Sequence, residues 1–195
     1  MDSLLGLGPF AWFGLSVLAY HGSELAVQAY FNPRLLSAES LLLSKHYLAA
    51  MGLAVLEYTL ETLLFPETKA ALLAYLFLPG LLMAVVGDVL RKAAQINAGA
   101  AFTHEIQVER RKEHKLVTEG LYAYVRHPGY GAWMLWAVGT QVLLGNIVSI
   151  GFFYYAAFAF FSSRIPYEEE TLIDLFGDDY RKYRRRVWSG VPGVM

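Results

Sequence analysis

The run AALLAYLFLPGLLMAVVGDVL, residues 70–90, holds one charged side chain, Asp88, in twenty-one positions. A helix needs ~20 apolar residues at ~1.5 Å each to cross a hydrocarbon core of ~30 Å. This stretch therefore reads as a membrane span and sets the frame for its neighbours. Toward the N-terminus, residues 41–65 and 10–31 are apolar over similar lengths. Toward the C-terminus come two shorter runs, 130–144 and 147–162, separated only by Gly145 and Asn146. They read as a helical hairpin that need not cross the whole bilayer. Composition agrees, with 56% hydrophobic and 17% charged residues, against ~45–50% and ~25% in soluble domains. The expected fold is all-α: a polytopic membrane protein forming one domain over 1–195, with about five transmembrane helices. A connector over 91–129 and a tail over 165–195 are the polar parts.

Residues 1–8 carry no cation, only Asp2. A secretory signal would begin with positive charge, so the first apolar run reads as a retained span. Orientation follows from Lys and Arg, which gather in cytoplasmic loops. With five spans, one side collects fifteen basic residues: Arg34 and Lys45, seven in the connector, and six in the tail. The other side has Lys69 alone. The connector and the C-terminus are therefore expected in the cytosol. In the tail, Leu172, Leu175, Phe176, Tyr180, Tyr183 and Val187 recur at helical spacing, with Glu168–Glu170 early and Arg184–Arg186 late. That order suits the helix dipole and predicts an amphipathic helix lying on the membrane surface.

Three polar elements could carry chemistry. Arg126-His127-Pro128-Gly129-Tyr130 closes the connector. Proline disfavours a helical residue before it and suits a first helical position. His127 is thus held extended ahead of a helix N-terminus, whose free N–H groups suit an anionic ligand group. Read alone, these five residues also describe a plain helix start at a membrane interface. Upstream, His114-Lys115-Leu116-Val117-Thr118-Glu119-Gly120-Leu121-Tyr122 is apolar backbone with a glycine turn. It could pack beside an adenine and bond to it through the main chain. Downstream, Arg164 stands four residues before Glu168, with Ile165-Pro166 between them. Arginine can grip a carboxylate with two parallel hydrogen bonds, and Glu168 can accept from an amine or a ribose hydroxyl. If Ile165-Pro166 opens a new helix, both residues flank that junction.

Glu24, Glu57, Glu61 and Asp88 fall at or near membrane depth. Ionisable groups are costly there and read as functional by default. Asp88 fits a simple pair with Arg91 or Lys92, and Glu61 fits exposure near a span end. Glu24 and Glu57 have no such plain reading. The chain has no cysteine, which excludes disulfides, thiolate metal sites and a cysteine nucleophile. His21, His46, His104, His114 and His127 show no metal-binding spacing, and there is no phosphate-binding glycine loop. Metal and nucleic acid are not expected partners; for Arg184–Arg186 anionic lipid is the simpler one.

Taken in order, these elements form a recognisable set: Leu90-Arg-Lys-Ala-Ala, Phe102-Thr-His, His114-x-Leu-Val-Thr-x-Gly-x-Tyr, Arg126-His-Pro-x-Tyr, Gly139-Thr-Gln-Val, Arg164 with Glu168, Phe176-Gly, Tyr180, and Val187-x-Ser-Gly-Val-Pro. Over nearly its whole length the chain resembles the isoprenylcysteine carboxyl methyltransferases. The short plant-type forms look closest, through Ser44-Lys-His-Tyr, Leu56-Glu-Tyr and Arg164-Ile-Pro-Tyr-Glu-Glu. The resemblance implies methyl transfer from S-adenosylmethionine to the C-terminal carboxylate of a prenylated cysteine in processed CaaX proteins. It further implies an endoplasmic reticulum membrane, a cytosol-facing donor site and a lipid-facing entry for the prenyl chain. The donor site it implies is Gln107, His114, Lys115, Leu116, Val117, Tyr122, His127, Pro128, Gly129, Tyr130 and Glu168; Arg164 is implied on the acceptor side, as the catalytic and substrate-binding residue. The family commonly has serine where Gly129 stands, a change that a backbone contact survives and a hydroxyl contact does not. Arg-His-Pro-x-Tyr alone also occurs in phospholipid N-methyltransferases and NADPH-dependent membrane sterol reductases, which are the competing readings.

Overall fold

A computed structural model describes residues 6–106, 108 and 115–194. Six α-helices follow in order: α1 (Pro9–Phe31), α2 (Lys45–Leu64), α3 (Pro66–Ala98), α4 (Pro128–Leu144), α5 (Ile147–Phe176) and α6 (Asp178–Arg186). Among the described residues there is no β-strand beyond one isolated bridge, Val125 with Trp188. Pro9, Pro66 and Pro128 each stand at the first turn of their helix, where a missing N–H costs nothing. Ser44 caps α2 by accepting from the Tyr47 amide at 3.2 Å. Three stretches, Ala38–Leu64, Pro66–Ala101 and Ile147–Phe176, are long and apolar enough to cross a membrane. Shorter or more polar than these, α4 has 17 residues, and α1 buries His21, Glu24 and Gln28.

The spine is the antiparallel pair α3–α4. A Cβ added at Gly80 would lie 2.0 Å from the Leu143 amide nitrogen, and one at Gly87 2.5 Å from that of Trp136. Close backbone approach through small residues is how helices associate where lipid removes any hydrophobic drive between them. Against this pair α1 places Tyr20, fully buried, which stacks on Trp136 at 4.0 Å between ring centroids. The Trp136 indole N–H donates to the Ser16 hydroxyl at 3.2 Å.

Two boundaries differ from those read in the sequence. Instead of ending near Leu90, α3 continues to Ala98, so the connector begins as helix. And α5 does not stop before Pro166; it runs through it to Phe176. Pro166 withholds the N–H that would meet the Ser162 carbonyl, but Phe161, Ile165 and Glu169 on either side are buried and hold the helix in place. No new helix opens at Ile165-Pro166. Arg164 and Glu168 are therefore i, i+4 neighbours on one face.

The tail also departs from expectation. Gly177, at φ +58°, breaks the chain between α5 and α6. This turn brings Tyr180 and Tyr183 against the protein, where both are buried. The Tyr183 hydroxyl donates to the Tyr122 carbonyl at 2.6 Å. Part of the apolar face of the amphipathic helix, at Tyr180 and Tyr183, is thus spent on the protein.

Candidate active site

Pro128 fixes the start of α4, and the C-terminal segment clamps what precedes it. The Arg126 and His127 amides donate to the Trp188 and Ser189 carbonyls at 2.8 and 2.9 Å. From there the Arg126 guanidinium reaches Glu169 at 2.8 Å and donates to the Arg184 and Val187 carbonyls. Arg184 in turn lies 2.8 Å from the other Glu169 oxygen. His127 Nε2 is 3.1 Å from Glu169 Oε1. An ionised carboxylate only accepts, so the Nε2 proton points at Glu169. The imidazole stacks on Tyr130 with 5° between the ring planes.

Tyr130 is a junction. Its hydroxyl donates to Glu168 Oε2 at 2.5 Å and accepts from Arg164 Nε at 2.9 Å. Arg164 Nη2 donates to the His104 carbonyl at 2.6 Å, and the guanidinium stands 5.8 Å from both the Tyr130 and Phe160 ring centroids. Beyond it lies a second ionic knot. Glu24, fully buried, accepts from Arg91 at 2.6 and 3.2 Å, Lys92 at 2.5 Å, Gln95 at 2.8 Å and the His104 imidazole at 2.8 Å. Arg91 Nη1 also donates to the Gly129 carbonyl at 3.0 Å.

Arg91, His104, Arg126, His127, Tyr130, Arg164 and Glu168 border one cavity of about 490 Å³, within the ~300–1,000 Å³ of small-molecule sites; Glu24 and Glu169 stand behind them. Of the twelve site residues expected from the sequence, Lys115, Leu116, Val117, Tyr122, His127, Pro128, Gly129, Tyr130, Arg164 and Glu168 all line it. Gln107 and His114 lie outside the described residues. Burial pushes the Tyr122 hydroxyl well above its ordinary pKa, and Tyr183 up to about 12. Both stay neutral hydroxyls at physiological pH.

Other parts of the lining went unread. Thr171, Leu172, Phe176, Tyr180 and Tyr183 close the polar end; their helical spacing was visible, but not which surface it faced. An apolar lobe is built from Trp133, Phe152, Phe153, Ala156, Phe160 and Phe161, and Leu42, Ser44, His46 and Tyr47 also face the cavity. The aromatic richness of 147–162 is the only trace of that lobe in the sequence.

The donor set suits a zwitterionic, positively charged nucleoside. Glu168 offers a carboxylate, Tyr122 a hydroxyl, and Leu116 and Val117 an apolar shelf with main-chain groups. The α4 start and Lys115 can face an anion. Likeness to known proteins identifies the family. The family model described as isoprenylcysteine carboxyl methyltransferase matches residues 80–174. Protein-S-isoprenylcysteine O-methyltransferase B of Arabidopsis thaliana is 46% identical over 182 residues, covering 92% of this chain and 91% of that one. Protein-S-isoprenylcysteine O-methyltransferase of Homo sapiens is 42% identical over 187 residues, covering 95% of this chain and 65% of that one. Among solved structures, the eukaryotic intramembrane Ras methyltransferase, isoprenylcysteine carboxyl methyltransferase, superposes with a TM-score of 0.91 at 35% identity. That match covers 95% of this chain and 67% of the other. The chain is a multi-span membrane protein of the isoprenylcysteine carboxyl methyltransferase family.

Proposed function

We propose that this protein methylates the C-terminal carboxylate of an isoprenylated cysteine, with S-adenosylmethionine as donor. The observation that carries the reading is one continuous cavity with two unlike halves. Tyr122, His127 and Glu168 line the polar half, and Trp133, Phe152 and Phe160 the apolar half, with Arg164 touching both Tyr130 and the Phe160 ring. A prenylated cysteine has the matching division, a hydrocarbon chain ending in a carboxylate.

S-adenosylmethionine supplies an electrophilic sulfonium methyl. The rest is the work of the chain. A C-terminal carboxyl group, which ordinarily titrates at about 3.3–3.7, is ionised at neutral pH, so no side chain need act as base. What the protein provides is alignment, which can supply about 7–11 kcal/mol of a barrier. Arg164 holds the acceptor carboxylate while leaving one oxygen free. Glu168 favours positive charge on the donor side. The stacked His127 and Tyr130 rings fix the floor between them. Aromatic walls bury the prenyl chain at ~0.8 kcal/mol per CH₂ and keep water out. An amine acceptor, as in phospholipid N-methylation, would meet the Arg164 cation unfavourably.

The charge bias supports a cytosolic site, and the family supports the endoplasmic reticulum membrane and processed CaaX proteins as substrates. The test is transfer of labelled methyl from S-adenosylmethionine to N-acetyl-S-farnesylcysteine by purified protein. Transfer to the farnesylated compound but not to N-acetylcysteine is expected. Equal methylation of phosphatidylethanolamine would defeat the reading.

A further inference from the structure

No residue of α1 lines the cavity, yet α1 is tied to it twice. Glu24 accepts from the His104 imidazole, and Asn32 Nδ2 donates to the Phe102 carbonyl at 2.9 Å. Both ties grip the short segment 102–105, and a Thr103 hydroxyl bond to the Glu105 carbonyl at 2.7 Å tightens it. This segment presents the His104 carbonyl to Arg164 at 2.6 Å. A backbone carbonyl has no rotamer of its own; it points where its segment is held. Glu24 is also the partner of Arg91, whose other arm holds the Gly129 carbonyl.

From this geometry we infer that Glu24 is a positioning residue for methyl transfer: through the His104 tether it aims the Arg164 guanidinium, and through Arg91 it sets the Gly129 backbone at the start of α4. The inference rests on the proposed methyl transfer. It adds a residue outside the cavity and divides its action into two separable arms. Glu24 does not line the cavity. Its carboxylate is shared by Arg91, Lys92, Gln95 and His104, so it is fully satisfied and has no acceptor capacity to spare for a ligand.

The arms can be cut one at a time in the full chain. His104→Ala frees the segment but leaves the Arg91–Gly129 arm in place. Turnover with N-acetyl-S-farnesylcysteine should fall roughly 10- to 100-fold, since a misplacement of about 1 Å can cost ~10²-fold. S-adenosylmethionine affinity by calorimetry should stay within about 2-fold. His104→Gln, whose amide nitrogen stands in for Nε2, should recover most of the loss. Because His104 itself faces the cavity, Asn32→Ala supplies a cut outside it and should show the same split at smaller size; it also serves if His104→Ala does not fold. Glu24→Gln should lower turnover and weaken the donor as well. Full turnover in His104→Ala and Asn32→Ala overturns the inference. So does a donor loss in His104→Ala as large as its turnover loss, or a His104→Gln no better than alanine. A wild-type protein that transfers no methyl strikes instead at the functional reading.

Discussion

Each end of the α3–α4 pair buries a knot of charge, and the two knots behave differently. At the Gly145 end, Lys69 is 3% exposed and donates to Glu61 at 2.6 Å, to the Asn146 side chain at 2.9 Å and to the Gly145 carbonyl at 3.1 Å. Asn146 reaches on to the Ala54 carbonyl and Gln141. Glu57 accepts from the Val148 and Ser149 amides that open α5. These groups turn on one another and tie a turn shut. At the Gly129 end, Glu24 gathers a similar set, but Arg91, His104, Arg164, Tyr130 and Glu168 also face a cavity. Charge at membrane depth marks cost, which protein must offset at either end. What marks a site is a void beside the charge, and partners that a substrate could share or replace.

Both ends hang on one close-packed spine, so the largest expected effect strikes them together. Gly80→Ala would place a Cβ 2.0 Å from the Leu143 amide and 2.4 Å from its Cα, with no flexible side chain to yield. Overpacking of this kind costs typically about 1–3 kcal/mol and occasionally more; backbone against backbone belongs at the top. Purified in detergent, the variant should melt far below wild type and bind S-adenosylmethionine poorly. Wild-type melting would mean that the helices are not so close. Lys69→Met comes next and separates the ends. It leaves Glu61 without its cation, and breaking a buried pair costs about 3–5 kcal/mol. With the Glu61 side chain 27% exposed, solvent should hold the loss to about 2 kcal/mol. Melting should fall while turnover per folded molecule stays within about 2-fold; a selective loss of turnover would erase the distinction between the ends.

What the sequence disclosed follows from how far each signal reaches. Helix starts at Pro9, Pro66 and Pro128 are local steric facts and stand where the prolines are. The Arg126–Tyr130 and Arg164–Glu168 elements carry their residue types openly, and the fold brings them to one cavity. Partnerships across distance were not legible. Nothing in residues 57–61 announces that Glu57 caps a helix beginning ninety residues later, or that Glu61, expected to be merely exposed, pairs with Lys69. Pro166 left a helix start open because local chemistry favours one; packing of Ile165 and Glu169 carries α5 through it instead. Asp88 needed only a near neighbour and has it in Lys92, 3.2 Å away.

Arg164→Lys sharpens the comparison from the other side. Arginine spans the Tyr130 hydroxyl and the His104 carbonyl with Nε and Nη2; an ammonium on a flexible stem cannot reproduce that fork. Turnover with a farnesylcysteine acceptor should fall by about 1–3 kcal/mol of transition-state stabilisation, with melting and donor affinity little changed. Glu168→Gln should invert the pattern and weaken the donor first. The two residues share Tyr130, so equal donor losses would place both in one donor-side network and remove Arg164 from the acceptor.

The smallest effect is expected from Glu57→Gln, and its interest lies in how little it should do to chemistry. One carboxylate oxygen accepts from the Val148 amide at 2.8 Å, the other from the Ser149 amide at 2.8 Å and its hydroxyl at 2.5 Å. This is an N-terminal cap supplied from another helix: a negative group over free N–H groups, where the helix dipole also favours it. Glutamine keeps one acceptor and turns an NH₂ toward donors. The Ser149 hydroxyl can rotate to donate elsewhere; the backbone amides cannot. Loss of a cap costs about 0.5–2 kcal/mol, and the retained oxygen places this variant near ~1 kcal/mol. A modest drop in melting with turnover unchanged is the expected result, because Arg164 lies about four turns beyond Ser149 and is anchored independently by Tyr130 and His104. If turnover instead falls with melting intact, α5 slides as a rigid rod between the two ends, and the cap at Glu57 helps to aim Arg164.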